Sequence, residues 1–196
     1  MSAIHPMDYD IDAIRKEWVN RVIRTGHGRY PVEFDPIRRH CHMVGDLNPA
    51  FLDPELAEQG PHGAVIVPPS MLLTYFSGKG PWPPAAEKTE TPQQEDTPAS
   101  FFAVPVPGDR GINMEVQWDF LEPVRVGDRL RMEMIIADVF IKPIKLDPYT
   151  VWVVSETSFF NQEDLVVAKW RNTVLFHRSP AQIAEDNARS DAQTST

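Results

Sequence analysis

The sequence predicts an α+β domain in which a sheet of long antiparallel strands wraps around one central apolar helix. Three observations carry this. Ile112, Met114, Val116, Trp118 and Phe120 alternate strictly with polar residues, the period of a half-buried strand. Leu130, Met132, Met134 and Ile136 repeat the alternation, and Tyr149 to Phe160 and Leu165 to His177 add two strand-like runs. The run Met71-Leu-Leu-Thr-Tyr-Phe76, opened by Val67-Pro-Pro-Ser70, is too apolar for a surface element and supplies a cover for the sheet. Short connections between the four strands make a meander the economical topology.

The remaining elements follow in order. Ile11, Ile14, Trp18 and Val22 stand near helical spacing, so a helix is expected over Asp10–Arg24, with Thr25-Gly26 as its stop. Tyr30, Val32 and Phe34 alternate as a short strand. Asp35-Pro36 reads as an N-cap followed by proline, opening a helix through about Val44. Gly45 to Pro49 is turn chemistry, and Asp53-Pro54-Glu55 starts another helix. The apolar run should form a short buried helix ending near Gly78. We expect a helical extension over 1–27, one domain over 28–178 and a disordered tail over 179–196, where large apolar residues nearly vanish.

Composition narrows the function. A chain of 196 residues, 42% apolar and 24% charged, builds its own core. Cys41 is the only cysteine, which points to a reducing compartment, hence the cytoplasm, and excludes a disulfide framework. With 28 acids against 19 bases the net charge is −9, so nucleic acid is not the expected partner. No apolar run is long enough to span a membrane. Proline is in excess at 19 residues, and seven of them fall between Pro81 and Pro107. That insertion, at about 78–108, is longer than an ordinary connection and has a polar centre flanked by Trp82, Phe101 and Phe102.

The densest polar cluster runs from Arg38 to Leu72 and holds His40, His42, Asp46, Asn48, Asp53 and His62. His40 and His42 fall on different helix faces, and one cysteine cannot complete a soft metal site, so neither metal nor cofactor is expected. Asp46 and Asn48-Pro49 also suit a plain turn.

Gly45-Asp46-Leu47-Asn48-Pro49-Ala50-Phe51-Leu52-Asp53 resembles the hydratase motif of MaoC-like hot-dog enzymes, GD-x-NP-x-H-x-D. Ala57, Gly63, the Val67–Met71 stretch, Phe120-x-x-Pro-Val-x-Val-Gly-Asp-x-Leu130 and the closing VVAKWRNTVLF agree in order and spacing. The resemblance covers about Tyr30 to Arg178 and is nearest to the FAS1-like N-terminal dehydratase half of that superfamily.

The resemblance implies a hot-dog fold and hydration of an enoyl thioester, with an aspartate and a histidine acting on water. A backbone N–H at the start of the central helix would hold the thioester oxygen. Here Asp46 keeps the acid position, but Phe51 stands where the histidine belongs. Ser70 maps to the oxygen donor, and Asn48 and Trp82 are the other expected substrate contacts. Losing a general acid–base group typically costs about 10²- to 10⁴-fold in rate. The expectation is therefore a degenerate subunit that binds an acyl-CoA and pairs with a catalytic MaoC-like chain. It would widen the pocket for a bulky acyl group, such as a steroid side chain. A self-sufficient homodimeric hydratase, a plain acyl-thioester-binding module and a thioesterase are the alternatives. The absence of a carboxylate between Met71 and Phe76 counts against the thioesterase.

Overall fold

In a computed structural model that describes residues 5–28, 30–76 and 104–194, five antiparallel strands form one sheet. The elements are α1 (Ile11–Trp18), β1 (Val22–His27), α2 (Phe34–Val44), α3 (Pro49–Leu52), α4 (Pro54–Gln59), a 3-10 helix (Pro69–Phe76), β2 (Arg110–Phe120), β3 (Arg131–Ile141), β4 (Val151–Phe160), β5 (Val166–His177) and α5 (Pro180–Thr194). The strand order is β1-β3-β4-β5-β2. No helix among the described residues is long and apolar enough to cross a membrane.

The four long strands stand where the alternation places them, but they do not form a simple meander. β3, β4 and β5 are consecutive neighbours, whereas β2 pairs with β5 at the far edge. The connection from Leu121 to Leu130 must therefore cross the sheet. It is pinned by a tight turn in which Gly127 takes a left-handed φ of 97° and Asp128 accepts from the Arg125 N–H at 2.7 Å. The expected wet face of β2 is present. Its apolar face is only half covered, with Ile112, Met114, Val116 and Phe120 still partly exposed.

Local expectations also need correction. The first helix ends at Trp18, because Val19 is already extended and Asn20 adopts a left-handed φ of 65°. Val22 to His27 then pair with β3, so the helical spacing of Val22 is coincidental and Thr25-Gly26 lie inside a strand. The stretch from Tyr30 to Phe34 is not a sheet strand. Val32 exchanges backbone bonds with Gly127 and Asp128, and Phe34 opens α2. Asp35 is inside that helix and does not cap it, pairing instead with Arg38 and Arg39. The apolar run is helical but of the tighter 3-10 type, and at eight residues it is longer than the roughly three or four that such helices usually reach. Its expected end near Gly78 and the proline-rich insertion lie outside the described residues.

The tail departs from expectation as well, since Pro180–Thr194 form α5. Its lack of large apolar residues is offset by a buried ionic anchor. Arg178, on entry to α5, reaches Asp147 at 2.8 Å and Asp186 at 2.9 Å, and all three side chains are almost completely buried. Burial alone would raise the Asp147 carboxyl, but hydrogen bonds from Arg178 and Tyr149 outweigh it and hold it below the usual carboxylate range. Around this anchor the Asp109 carboxylate accepts from the Ser179 N–H, and Gln182 donates to the Pro107 carbonyl. Gly108 lies so close to His177 that a β-carbon would sit 2.7 Å from its backbone.

Two cores share the sheet. One joins Val32, Ile37, Cys41, Phe51, Met71 and Leu72 to Met132, Phe159 and Ala168. The other joins Val104, Ile136, Val139, Val153 and Val174 to the apolar side of α1.

Replacing Arg178 with Met should leave two buried carboxylates without a cation, at a cost of about 3–5 kcal/mol in urea unfolding at neutral pH. Because Asp147 is depressed in the fold, its contribution is intact above the unfolded carboxylate pKa of about 3.9 and fades as pH falls through the lower folded value. The penalty of Arg178→Met should shrink over that same acid range.

Candidate active site

The hydratase-like motif occupies the exit from α2. Gly45 closes the helix with a left-handed φ of 75°, where a side chain would be strained, and the Asp46 N–H returns to the Cys41 carbonyl at 2.9 Å. The Asp46 carboxylate accepts from the Asn48 N–H at 3.0 Å, and the Asn48 side chain accepts from Ala50 N–H at 3.0 Å to cap α3. Asp53 caps α4 in the same way through the Glu55 and Leu56 N–H groups. The three polar residues of the motif are thus all engaged with nearby backbone.

Phe51 faces the other way. It is 9% exposed and packs with Ile37, Cys41, Ala57, Val65 and Val67. Burial, followed by the charge of Asp46, raises the Cys41 thiol pKa, so this cysteine is a small core residue and not a nucleophile.

The three histidines of the polar cluster lie apart in the structure. His40, on α2, brings its Nε2 to within 2.9 Å of the Ser70 hydroxyl at the start of the 3-10 helix. His42 is on the exposed side of α2. His62 lines two adjoining clefts. The larger, about 210 Å³, is apolar and runs between Ile66, Val67, Pro68, Pro69 and Leu72 on one side and Phe120, Val124 and Ala168 on the other. Glu122 also lines it. The smaller, about 190 Å³, is lined by Asn48, Pro49, Ala50 and Leu56 among others. Trp82 lies outside the described residues. Sequence reasoning misses Glu122, although it sits inside the stretch from Phe120 to Leu130 that carries the resemblance.

A family model described as "FAS1-like, dehydratase domain region" matches residues 18–170. The chain belongs to that family. This FAS1-like chain is 30% identical over 112 residues to a UPF0336 protein of Streptomyces griseus, and 29% identical over 107 residues to UPF0336 protein SCO4636 of Streptomyces coelicolor. The matches cover 56% and 55% of the chain and 63% and 61% of those relatives, so the chain spans less than two thirds of their length. Among solved structures it is similar to the ChsH1-ChsH2 complex of Mycobacterium tuberculosis. The TM-score is 0.61 at 16% identity, covering 87% of this chain and 95% of that one. A truncated HadBC (3R-hydroxyacyl-ACP dehydratase) complex of the same organism gives a TM-score of 0.51 at 18% identity, covering 78% and 94%. At these identities the likeness shows the fold, which is the hot-dog fold of MaoC-like hydratases and dehydratases.

The two sides of the motif should respond differently to mutation. Phe51→Ala opens a cavity in the core and should cost about 3–5 kcal/mol. Asp46→Ala removes one turn hydrogen bond and should cost about 0.5–1.5 kcal/mol. Denaturant titration of the two variants checks the order, and a larger loss at Asp46 would mean that the turn, not the ring, holds the motif in place.

Proposed function

We propose that the chain is the degenerate subunit of an enoyl-CoA hydratase, binding the acyl group while a MaoC-like partner supplies the acid–base pair. One observation carries this reading: the position of the motif histidine holds Phe51, and that side chain is built into the core. A phenyl ring has no atom that transfers a proton, and this one is 9% exposed in the core cluster that holds Ile37 and Val67. The assembled state of the ChsH1-ChsH2 and HadBC structures, both named as complexes, supports a two-chain arrangement.

In this reading Asp46 and Asn48 keep the turn that seats Phe51, and the apolar cleft beside Pro68 and Pro69 receives part of the acyl group. A largely apolar wall suits a hydrocarbon or ring-bearing acyl chain, because few polar groups there would be left unpaired. The proline-rich insertion at about 78–108, with Trp82, lies largely outside the described residues, and the domain reaches beyond 28–178 on both sides, since β1 pairs with β3 and Arg178 anchors α5. The single thiol fits a cytoplasmic setting.

The test is reconstitution with a hot-dog hydratase subunit that carries the intact Asp-x4-His pair. The isolated chain should hydrate enoyl-CoAs at least about 100-fold more slowly than the complex, the scale of a missing general base. Full turnover by the isolated chain would overturn the proposal. In the complex, Asp46→Asn should leave turnover unchanged. Ile66→Trp, which narrows the cleft, should raise KM for long or ring-bearing acyl-CoAs more than for short ones.

A further inference from the structure

The contact between His40 and Ser70 serves neither the motif nor the turn. Thirty residues separate the two in sequence, and they belong to different elements. Their 2.9 Å separation is within the roughly 2.6–3.2 Å at which a base activates a hydroxyl nucleophile. Each partner is held from a different direction. His40 is fixed by α2, whose neighbouring residues Ile37 and Cys41 are fully buried. Ser70 is fixed by the 3-10 helix, which is anchored through buried Met71 and Leu72.

Ser70 itself is exposed, so a substrate can reach it. It also follows Pro68 and Pro69, which carry no N–H and line the apolar cleft together with Leu72. The Met71 N–H is spent on the Pro68 carbonyl at 2.9 Å. The Ser70 amide is therefore the first at the helix start, beside its own hydroxyl. Ser70 does not itself line the cleft but stands between Pro69 and Leu72, which do, so the cleft ends beside its hydroxyl.

We propose that Ser70 and His40 form a nucleophile–base pair that gives the chain an acyl-thioester hydrolase activity, separate from hydration. Ser70 Oγ attacks the thioester carbonyl carbon and passes its proton to His40 Nε2. The carbonyl oxygen becomes an oxyanion next to the Ser70 N–H. On collapse the C–S bond breaks, the departing thiolate takes the proton from Nε2, and the acyl group remains on Ser70 as an ester. Water then gives a proton to His40 and attacks that ester. The bond to Oγ breaks, Oγ recovers the proton, and a carboxylic acid leaves. This mechanism needs no carboxylate on the apolar helix, which is the feature whose absence speaks against a hydrolase from sequence.

A serine–histidine pair lacking an orienting acid turns over slowly, since loss of that acid in the serine-protease template costs about 10⁴-fold. Covalent capture is therefore the decisive readout. The isolated full-length chain is treated with a fluorophosphonate and mapped by peptide mass, and thiol release from butyryl-CoA is followed in parallel. We expect one phosphonyl group on Ser70 of the folded chain, and none on Ser70→Ala or on the chain unfolded in guanidinium chloride. His40→Gln should slow labelling and thiol release by about 100-fold or more. Circular dichroism checks that both variants fold, the outcome expected from the exposure of Ser70. No adduct on Ser70, or an adduct formed equally fast in His40→Gln, overturns the proposal. Because no partner chain is present, the result is independent of the hydratase reconstitution.

Discussion

Phe51, Ile37 and Cys41 meet Val65, Val67 and Met71 in one apolar contact, and the geometry of the candidate site follows from it. The contact sets α2 on the sheet end formed by Met132, Phe159 and Ala168. With α2 fixed, Gly45 must turn the chain back, and Asp46, Asn48 and Asp53 supply acceptors for amides that the tight succession of short helices leaves without partners. The same contact holds the 3-10 helix near α2, which brings Ser70 to His40. A histidine at position 51 would bring a polar ring into this contact, at a desolvation cost of about 1–3 kcal/mol unless it found a partner. Phenylalanine removes that cost and, with it, the motif's proton-transfer group.

Much of the fold is legible in the sequence because a period of two, sustained over seven or more residues, is the mark of a strand with unlike faces. β2 and β3 are visible for that reason, β4 and β5 as long strand-like runs, and α4 because Asp53-Pro54 states a helix start in two residues. Local pattern without enough length misleads. Val22 satisfies a helical spacing, yet it is a β-branched residue that pairs with Ile135 of β3. The tail misleads because composition registers missing apolar residues but not a distant ion partner. Asp147 and Arg178 are separated by two strands' worth of sequence, and nothing local announces their pairing.

The site is legible as a motif and obscure as chemistry. Phe51 can be read directly as a departure from the hydratase pattern, and its burial gives the departure a structural purpose. The contact of His40 with Ser70 depends on how two elements pack, so spacing can only list His40 beside His42 and His62. Glu122 enters the cleft wall through the Val67 and Val124 backbone pairing, which is likewise a tertiary fact.

The strand order has a consequence for how the molecule forms and opens. β3, β4 and β5 are linked by short turns and can zip together early, since each pairing closes only a small loop. β1 and β2 join from opposite edges by long-range pairing, so ordering them carries the larger loop-closure cost. Of the two margins only β1 is weakly held, pairing over five residues, whereas β2 pairs over ten, as many as the central strands, so amide exchange would be fastest at β1. The Phe120 end of β2 forms one wall of the apolar cleft. That wall is tied to the core around Phe51, because Trp118 stacks on both Phe120 and Phe159, so the cleft cannot widen at this edge without loosening that core.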